Sequence, residues 1–537
     1  MTAGGTKRGD VTRTAVLWGI AALVVVLAGW RLQLPISNDG VQYLSGAENL
    51  LAGRGYATSI LFFDEHYRFK TIPAPQTVWP PGYPALVAAV AGLGIQLEES
   101  ARLVGRLSYV LLLPIVFGLA YRVTGRRTLA GVVALWTLAT SELWLYTAGP
   151  NSELPFLVLS LAALAAVPLE SARPARWLGP GLLGALAATT RYAGVFLIIA
   201  LALTALGTVW RRSRNTRRFH PGPILWFGLG ASPFALVALR NWLLVDALIG
   251  GNAKRVSQPL GGLLESTVKA LADLLFGVSL TDFRAGGWHT AAAGLGLVGA
   301  GILAALVLTS RSAHTVPAIG RVRDPATHAL WLYPAVYLPA LLWTASRTHL
   351  TFGGRYLLPV LPVIALIIVR LGLPAARQEA PSAGQPGRWR LALIGVLSVF
   401  VAQAATLGRR WEARGTPFLI DPLVTAYASD HLGQREPVLA VGNGQQVGYL
   451  LRRPTAAVPH QWFTASPWDE TMVRDVMSRY GIRTLIIHVG GGDADYGPFL
   501  DSVISGALPS WAEEVASSPR IRILESREPG PGTGTGR

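Results

Sequence analysis

Long uncharged stretches, separated by short clusters of charged residues, run through the chain as far as residue 408. A helix needs roughly 20 predominantly apolar residues to cross a bilayer, and flanking arginine side chains can extend to the membrane surface. We therefore interpret each uncharged stretch as one membrane-spanning helix. The stretches are 14–30, 107–121, 129–141, 154–169, 221–239, 285–310, 329–346, 356–369 and 391–408.

Residues 178–209 are also mainly apolar, but they are too many for one span. A single helix of this length would extend ~48 Å, whereas the hydrocarbon core is ~30 Å thick. Basic residues flank both ends, at Arg173 and Arg176 and again over 211–218. Two short helices that meet at 190–194 place both basic flanks on one side of the membrane, and a single kinked span does not. We favour two helices, which predicts about eleven spans and a transmembrane domain over residues 1–410.

The C-terminal part of the chain has a different pattern. Short apolar runs at 438–441, 447–451, 484–489 and 521–524 predict strands, and 471–480 predicts a helix that ends at Gly481. We therefore predict a small α/β domain over 411–527, followed by a disordered tail over 528–537. The glycine-rich segment 442–448 does not follow the spacing of a dinucleotide-binding loop, and we interpret it as a turn.

The charge distribution predicts the orientation of the chain. Only 14% of the residues are charged, against about 25% in a soluble protein, and the net charge is +17. The basic residues lie on alternate loops, as the positive-inside rule requires, so we do not interpret them as a nucleic-acid site. This pattern predicts a multi-pass protein of the plasma membrane with a cytoplasmic N-terminus and an extracytoplasmic C-terminal α/β domain. The absence of cysteine excludes disulfides, thiolate metal sites and cysteine nucleophiles.

Asp39 is the main candidate for chemistry. It follows the first predicted span by a few residues, which places it at the outer membrane surface in a loop that extends over 35–100. A carboxylate at that surface can meet both water and a lipid-linked head group, and it is suited to act as a general base. The alternative is that Asp39 is the N-cap of the helix predicted to follow it.

Six short motifs occur in order along the predicted transmembrane domain. They are Asp39, Tyr43, Ala47, Asn49, Leu50, Gly53, Gly55 and Tyr56; Pro80-Pro81-Gly82-Tyr83-Pro84; Arg102-Leu103; Asn151-Ser152-Glu153-Leu154-Pro155; Thr190-Arg191-Tyr192; and Arg355-Tyr356-Leu357-Leu358-Pro359 with Pro362. Together they resemble motifs of the GT-C glycosyltransferases, in particular the bacterial relatives of protein O-mannosyltransferases and aminoarabinose transferases (glycosyltransferase family 39-like).

This resemblance implies a GT-C-like fold and a specific reaction. A polyprenyl-phosphate sugar donor in the membrane lipid would give its sugar to a glycan, lipid or protein acceptor on the outer face, with inversion at the anomeric carbon. The catalytic acid of the family's first loop corresponds to Asp39. Many relatives have a second acid directly after it, where this chain has Gly40, so Glu153, Asp64 or Glu65 are candidates to replace it. Tyr43 and Tyr83 are candidates for acceptor binding or for support of the site.

A donor phosphate also requires cations. Arg355, at the outer end of a predicted span, is the best candidate because arginine binds phosphate in bidentate geometry. Arg68 and Lys70 in the first loop are further candidates, with simple contact to solvent or lipid head groups as the alternative. Arg191 lies at the predicted turn between two spans, and its alternative is an ion pair with Glu142 or Glu153 that stabilises the bundle. No metal site is predicted, although a divalent cation between Asp39 and Glu153 stays open.

A transporter or flippase of lipid-linked precursors is the alternative function. A transporter is expected to carry polar residues near the bilayer midplane and an internal repeat. Here the polar residues concentrate in the outer loops, and the first loop is far longer than an ordinary connection. A membrane scaffold is a third possibility, but it leaves the motif around Asp39 unexplained. The sequence therefore favours the transferase.

Overall fold

The computed structural model describes residues 3–250, 259–277, 294–300, 324–347, 354–372, 394–405, 418–461, 468–488 and 495–527, with the single residues 291, 391, 407 and 464. The described α-helices before residue 410 include Ala3–Ala28, Asn38–Leu51, Gly82–Ala91, Leu97–Thr124, Arg127–Ala139, Ser141–Leu145, Glu153–Ala166, Leu178–Thr190, Gly194–Thr216, Gly222–Val245, Leu260–Phe276, Pro325–Ser346, Leu361–Gly372 and Ile394–Ala405. The predicted tail 528–537 and most of the predicted span 285–310 lie outside the described residues.

Apolar helices dominate the described part of the chain before residue 410. Among the described residues, four helices are long and apolar enough to cross a membrane, and five apolar helices are shorter. The four are Asp10–Ala28, Leu97–Thr124, Gly194–Thr216 and Gly222–Val245; the five are Gly82–Ala91, Arg127–Ala139, Glu153–Ala166, Leu358–Val369 and Ile394–Ala405. The total of eleven spans stays a prediction.

The predicted break within 178–209 is confirmed. Helix Leu178–Thr190 ends before Arg191, whose backbone is extended, and a second helix begins at Gly194. The two helices lie side by side, because a Cβ atom placed on Gly184 would be 3.2 Å from Leu201 Cδ1. This segment is therefore a hairpin and not a single kinked helix.

The loops sort into two groups, as the charge pattern predicts. Segments predicted to be cytoplasmic contact one another at one end of the bundle, through the ion pairs Arg127–Asp10 at 3.2 Å, Arg122–Asp324 at 3.0 Å and Arg211–Glu170 at 3.9 Å. Segments predicted to be external meet elsewhere, where the Tyr192 hydroxyl donates to the Thr77 carbonyl of the first loop at 2.8 Å. Which group faces the cytoplasm stays a prediction.

The C-terminal segment forms an α/β unit that includes part of the first loop. The strands are β1 (Ala57–Thr58), β2 (Ile60–Leu61), β3 (Ala74–Pro75), β4 (Val438–Val441), β5 (Thr455–Ala457), β6 (Thr484–His488), β7 (Ala512–Ser518) and β8 (Ile521–Ser526). β1 pairs with β3, and the other six form a sheet in the order β2-β5-β4-β6-β8-β7. β2, β5, β4 and β6 are parallel, whereas β8 and β7 are antiparallel to their neighbours. The first loop thus supplies one edge strand of this sheet.

Four described helices accompany these strands. They are Pro422–His431, Gly444–Leu451, Glu470–Tyr480 and Pro498–Ile504. The helix predicted to end at Gly481 is confirmed: Asp469 caps its start, and Gly481 ends it in the left-handed conformation at φ 64°. The core of the unit also contains Leu61, Tyr67 and Ala74 of the first loop.

The predicted strand 447–451 is wrong, because this segment is the second half of helix Gly444–Leu451. The reason lies in the sheet topology. β4 and β5 are adjacent and parallel, and adjacent parallel strands require a crossover, which here is this helix. The turn predicted over 442–448 is restricted to Gly442 and Asn443, which both have positive φ. The remaining residues, from Gly444 onward, belong to the helix.

Candidate active site

Helix Asn38–Leu51 carries Asp39 in its first turn. The N-cap of this helix is Ser37, whose hydroxyl accepts a hydrogen bond from the Gly40 amide at 3.1 Å. The interpretation of Asp39 as the N-cap is therefore wrong. The carboxylate of Asp39 is not needed to cap the helix and is available for another contact.

That contact is an ion pair with Arg355. Arg355 Nη1 lies 2.7 Å from Asp39 Oδ2, and its Nη2 donates to the Tyr356 hydroxyl at 2.7 Å. Arg355 also lies over the ring of Tyr356, with 4.8 Å to the ring centroid. The Tyr337 hydroxyl donates to the Tyr356 carbonyl at 2.7 Å and so anchors this short segment to helix Pro325–Ser346. The side chains of Asp39 and Arg355 remain 25% and 38% exposed, so both are accessible to a ligand.

A second, more buried ion pair lies beside the first. Arg191 Nη1 is 2.6 Å from Glu153 Oε1 and 3.3 Å from the Ser152 hydroxyl. The side chains of Arg191 and Glu153 are 14% and 6% exposed. Glu153 and Arg355 interact electrostatically, so the two ion pairs belong to one cluster. For Arg191, the structure shows the bundle-stabilising pair with Glu153 that the sequence offered as the alternative.

Tyr43 connects helix Asn38–Leu51 to this second pair. Its hydroxyl lies 2.9 Å from the Ser152 hydroxyl, and its ring packs edge-on against Tyr83 with 4.9 Å between the ring centroids. Burial raises the pKa of the Tyr43 hydroxyl well above its usual range. Tyr43 therefore stays protonated at neutral pH, where it can hydrogen-bond but cannot serve as a base.

Gly40 occupies the position at which many relatives have a second acid. A Cβ atom built on Gly40 would lie 2.7 Å from Pro150 Cγ and 3.3 Å from the Pro150 carbonyl oxygen. A carboxylate side chain at position 40 would consequently require Pro150 to move. The site of this chain is therefore built around a single acid at this turn of the helix.

Three other predicted residues lie elsewhere in the first loop. The Thr464 hydroxyl donates to Asp64 Oδ1 at 2.6 Å, so Asp64 joins the first loop to the C-terminal α/β unit. Arg68 Nη1 donates to the Val245 carbonyl at 3.0 Å, and Lys70 is exposed. Within the described residues, no hydrogen bond or ion pair joins Arg68 or Lys70 to the Asp39–Arg355 pair.

Sequence reasoning missed Arg240, which holds the first loop against the bundle. Its guanidinium donates to the carbonyls of Gln76 at 2.9 Å and Tyr56 at 3.0 Å. The neighbouring Asn241 donates to the Tyr192 hydroxyl at 2.7 Å, which in turn donates to the Thr77 carbonyl at 2.8 Å. A lone arginine near the end of an apolar run carries no signal for such a role, because snorkelling to the membrane surface explains it equally well.

The acids of the site do not form a protein-built metal site. Asp39 and Glu153 each have an arginine as counter-ion. In the described part of the chain, no group of three or more His, Cys, Asp or Glu side chains converges.

Comparisons with known proteins show what this chain is similar to. Residues 78–236 match the model of the dolichyl-phosphate-mannose-protein mannosyltransferase family. A sequence comparison with curated proteins gives no match.

Three solved structures are similar in fold. ArnT from Cupriavidus metallidurans bound to undecaprenyl phosphate has a TM-score of 0.58 at 15% identity, covering 96% of this chain and 98% of ArnT. AglB, the oligosaccharyltransferase from Archaeoglobus fulgidus in complex with an inhibitory peptide and a dolichol-phosphate, has a TM-score of 0.51 at 13% identity, covering 90% of this chain and 70% of AglB. The arabinofuranosyltransferase AftD from Mycobacteria has a TM-score of 0.50 at 15% identity, covering 96% of this chain but only 41% of AftD.

These matches confirm the resemblance that the motifs indicated. The family match covers the segment from the end of the first loop into helix Gly222–Val245, and the structural likeness extends over nearly the whole chain. The chain thus has a fold similar to that of ArnT and AglB, and its residues 78–236 match the dolichyl-phosphate-mannose-protein mannosyltransferase model.

Proposed function

We propose that this protein is a membrane glycosyltransferase. It moves a sugar from a polyprenyl-phosphate-linked donor to an acceptor on the outer face of the membrane, with inversion at the anomeric carbon. The observation that carries the proposal is the ion pair between Asp39 and Arg355. It places a carboxylate that can act as a base beside an arginine that can bind phosphate, and both side chains are accessible. Two proteins of similar fold, ArnT and AglB, have been solved with a polyprenyl or dolichol phosphate, which supports a donor of this class.

Arg355 binds the donor phosphate in this proposal. A guanidinium has five N–H donors in a planar fork that matches phosphate oxygens. Asp39 and Tyr356 receive one hydrogen bond each from its two terminal nitrogens, so other donors remain for a phosphate. When a phosphate also binds Arg355, the ion pair between Arg355 and Asp39 becomes weaker. The Asp39 carboxylate is then available to accept a proton.

Asp39 is the general base. The acceptor hydroxyl oxygen forms a bond to the anomeric carbon, and its proton passes to the Asp39 carboxylate. The bond between the anomeric carbon and the phosphate oxygen breaks, and its electron pair leaves with the polyprenyl phosphate, whose added negative charge lies against Arg355. A single displacement of this kind inverts the anomeric configuration, and removal of the acceptor proton by a positioned base accelerates it.

The second ion pair positions the site. Glu153, at the start of helix Glu153–Ala166, pairs with Arg191, in the turn after helix Leu178–Thr190. Ser152 connects this pair to Tyr43 on the helix that carries Asp39. We assign Tyr43 and Tyr83 to the wall of the acceptor side. We assign Arg68 and Lys70 to contacts with lipid head groups or with the outer part of the donor.

The orientation completes the proposal. The N-terminus lies in the cytoplasm and the C-terminal α/β unit lies outside, so that transfer occurs on the outer face. This orientation rests on the charge pattern of the loops and on the way in which they group at the two ends of the bundle.

The proposed activity is tested with the purified protein in liposomes. A panel of polyprenyl-phosphate monosaccharides, each radiolabelled in the sugar, is supplied with a membrane extract as the source of acceptor. We expect one donor to be consumed, with release of polyprenyl phosphate and transfer of the label. The variant Asp246→Asn, which changes an exposed acid at the end of helix Gly222–Val245, is the matched control and should behave like the parent. Consumption of no donor in the panel would contradict the proposal.

A further inference from the structure

The C-terminal α/β unit contacts the helix that carries Asp39 through a buried hydrogen bond. Gln42 Nε2 donates to Gln445 Oε1 at 2.8 Å, and the two residues are only 1% and 3% exposed. Gln445 lies in the first turn of helix Gly444–Leu451, the crossover between β4 and β5. One turn further on, the Tyr449 hydroxyl donates to Glu98 Oε1 at 2.5 Å. One short helix thus contacts both helix Asn38–Leu51 and the start of helix Leu97–Thr124.

The side-chain amide of Gln42 makes several buried hydrogen bonds. Its nitrogen also donates to the Ile60 carbonyl at 3.1 Å, and its oxygen accepts from Gln76 Nε2 at 3.0 Å. The Thr58 hydroxyl lies 3.2 Å from the same oxygen and 3.1 Å from the Ile60 carbonyl, and its single hydrogen serves one of the two. Both N–H donors of Gln42 are thus paired, and a buried hydrogen-bonded network of this kind rigidifies the elements that it joins.

The network extends to a neutral histidine. His66 Nδ1 accepts from the Phe62 amide at 3.1 Å, so the proton of the neutral ring is on Nε2, which lies 3.0 Å from Gln76 Oε1. Burial lowers the pKa of His66 to about 4. His66 is therefore neutral at neutral pH, and each of its two ring nitrogens keeps its role as hydrogen-bond donor or acceptor.

The backbone of helix Gly444–Leu451 lies close to the sheet, which brings Gln445 within reach of Gln42. A Cβ atom on Gly448 would lie 2.4 Å from the Thr455 hydroxyl oxygen, so only glycine allows this approach. On the other side of the contact, Gln42 follows Asp39 by three residues and so lies on the same face of its helix. The start of this helix is consequently held by Arg355 of the bundle and by Gln445 of the α/β unit.

We propose that Gln445 is a positioning residue for Asp39: through Gln42 it fixes the helix that presents the carboxylate to Arg355 and to the acceptor. The inference rests on the proposed function, and it gives the C-terminal α/β unit a role in the transfer step. A displacement of about 1 Å in a reacting group can cost on the order of 100-fold in rate. Loss of the Gln42–Gln445 bond is therefore expected to act on kcat and not on binding of the donor.

The kinetic test uses the full-length protein in liposomes. Gln445→Met keeps the length of the side chain and removes the accepting oxygen. We expect kcat to fall roughly 10- to 100-fold, while KM for the donor stays within about twofold. The double variant Gln42→Met/Gln445→Met should be no slower than Gln42→Met alone, because both changes remove the same bond. The control is Tyr427→Phe, which removes a hydrogen bond to Glu525 inside the same unit and should keep the parental kcat. A parental kcat in Gln445→Met overturns the proposal.

A distance measurement tests the positioning without any reaction. The chain has no cysteine, so spin labels can be attached at Glu48→Cys on the Asp39 helix and at Trp343→Cys on helix Pro325–Ser346, both exposed positions. We expect the distribution of distances between the labels to broaden or shift in Gln445→Met and to stay as in the parent in Tyr427→Phe. An unchanged distribution in Gln445→Met contradicts the proposal. If the parent transfers no sugar while Gln445→Met still shows the broadening, the proposed function is contradicted and the positioning contact is supported.

Discussion

Asp39 and Arg355 are separated by 316 residues in the chain, and their side chains form an ion pair with 2.7 Å between Oδ2 and Nη1. Asp39 comes from the first loop and Arg355 from the short helical turn before helix Leu361–Gly372. The pair thus connects an early and a late segment of the transmembrane part of the sequence. In the proposed reaction, Asp39 accepts a proton and Arg355 binds the donor phosphate.

Arg355→Lys is predicted to weaken donor binding although the charge is kept. Lysine presents a point charge and loses the bidentate fork, so at least one charge-assisted hydrogen bond to the phosphate is lost. A bond of this kind contributes about 1.5–3 kcal/mol, which corresponds to roughly 10- to 100-fold in affinity. Binding of a labelled polyprenyl phosphate to the purified variant measures this loss. Arg347→Lys, a change at an exposed arginine directly after helix Pro325–Ser346, is the control. Equal binding by the parent and Arg355→Lys would remove Arg355 from the phosphate site.

Gly40→Ala is predicted to destabilise the protein. The new Cβ atom would lie 2.7 Å from Pro150 Cγ, and overpacking of this type typically costs about 1–3 kcal/mol. Gly118→Ala is the matched control, because Gly118 also lies within a helix but has open space where the Cβ would be. That variant should be neutral or gain up to about 1 kcal/mol from helix propensity. Thermal unfolding in detergent compares the two, and a Tm for Gly40→Ala at or above that of Gly118→Ala contradicts the close contact.

Glu153→Gln is predicted to be strongly destabilising. Arg191 is then left as a buried cation without its partner, which typically costs about 3–5 kcal/mol. The double variant Glu153→Gln/Arg191→Gln removes both charges and should regain part of that loss. Chemical unfolding of the parent, Glu153→Gln, Arg191→Gln and the double variant gives the comparison. If the two single losses in unfolding free energy simply add in the double variant, the two residues do not act as a pair.

The stability of the protein is predicted to fall between pH 7 and pH 5 because of His66. Its pKa is lowered to about 4 in the folded protein, against an ordinary value of 6.5. The unfolded chain therefore takes up a proton at a higher pH than the folded chain, and stability is lost as the pH falls below about 6.5. The expected loss by pH 5 is about 2 kcal/mol. His66→Gln does not titrate there, so its unfolding free energy should change less over the same interval; an identical pH dependence in both proteins contradicts the assignment.

Elements defined by local pattern could be predicted from the sequence. The break at Arg191 follows from length, because the apolar stretch exceeds the thickness of the hydrocarbon core. The helix that ends at Gly481 follows from its own periodicity and from a C-terminal glycine. The choice between Ser37 and Asp39 as the N-cap does not follow, because both residue types cap helices well and they are only two residues apart.

Contacts between distant segments could not be predicted. β2 has only two residues, too few for an alternating pattern, and its residue Ile60 pairs with Thr455 at the other end of the chain. Gln42 looks like a solvent-facing residue of an amphipathic helix until Gln445 is placed against it. For the same reason the motifs identified Asp39 and Arg355 one by one, while their pairing depends on the tertiary structure.

The substitution Asp39→Asn tests the central claim most directly. Asparagine has nearly the same shape, and Ser37 still caps the helix, so the variant should insert normally and unfold at close to the parental temperature. It cannot accept the proton of the acceptor, and loss of a general base typically costs ~10²–10⁴-fold in rate. The measurement is the single-turnover rate of sugar transfer from the preferred polyprenyl-phosphate donor, with parent and variant at equal amounts of folded protein. We predict a rate at least about 100-fold below that of the parent; transfer at the parental rate would contradict the assignment of Asp39 as the catalytic base.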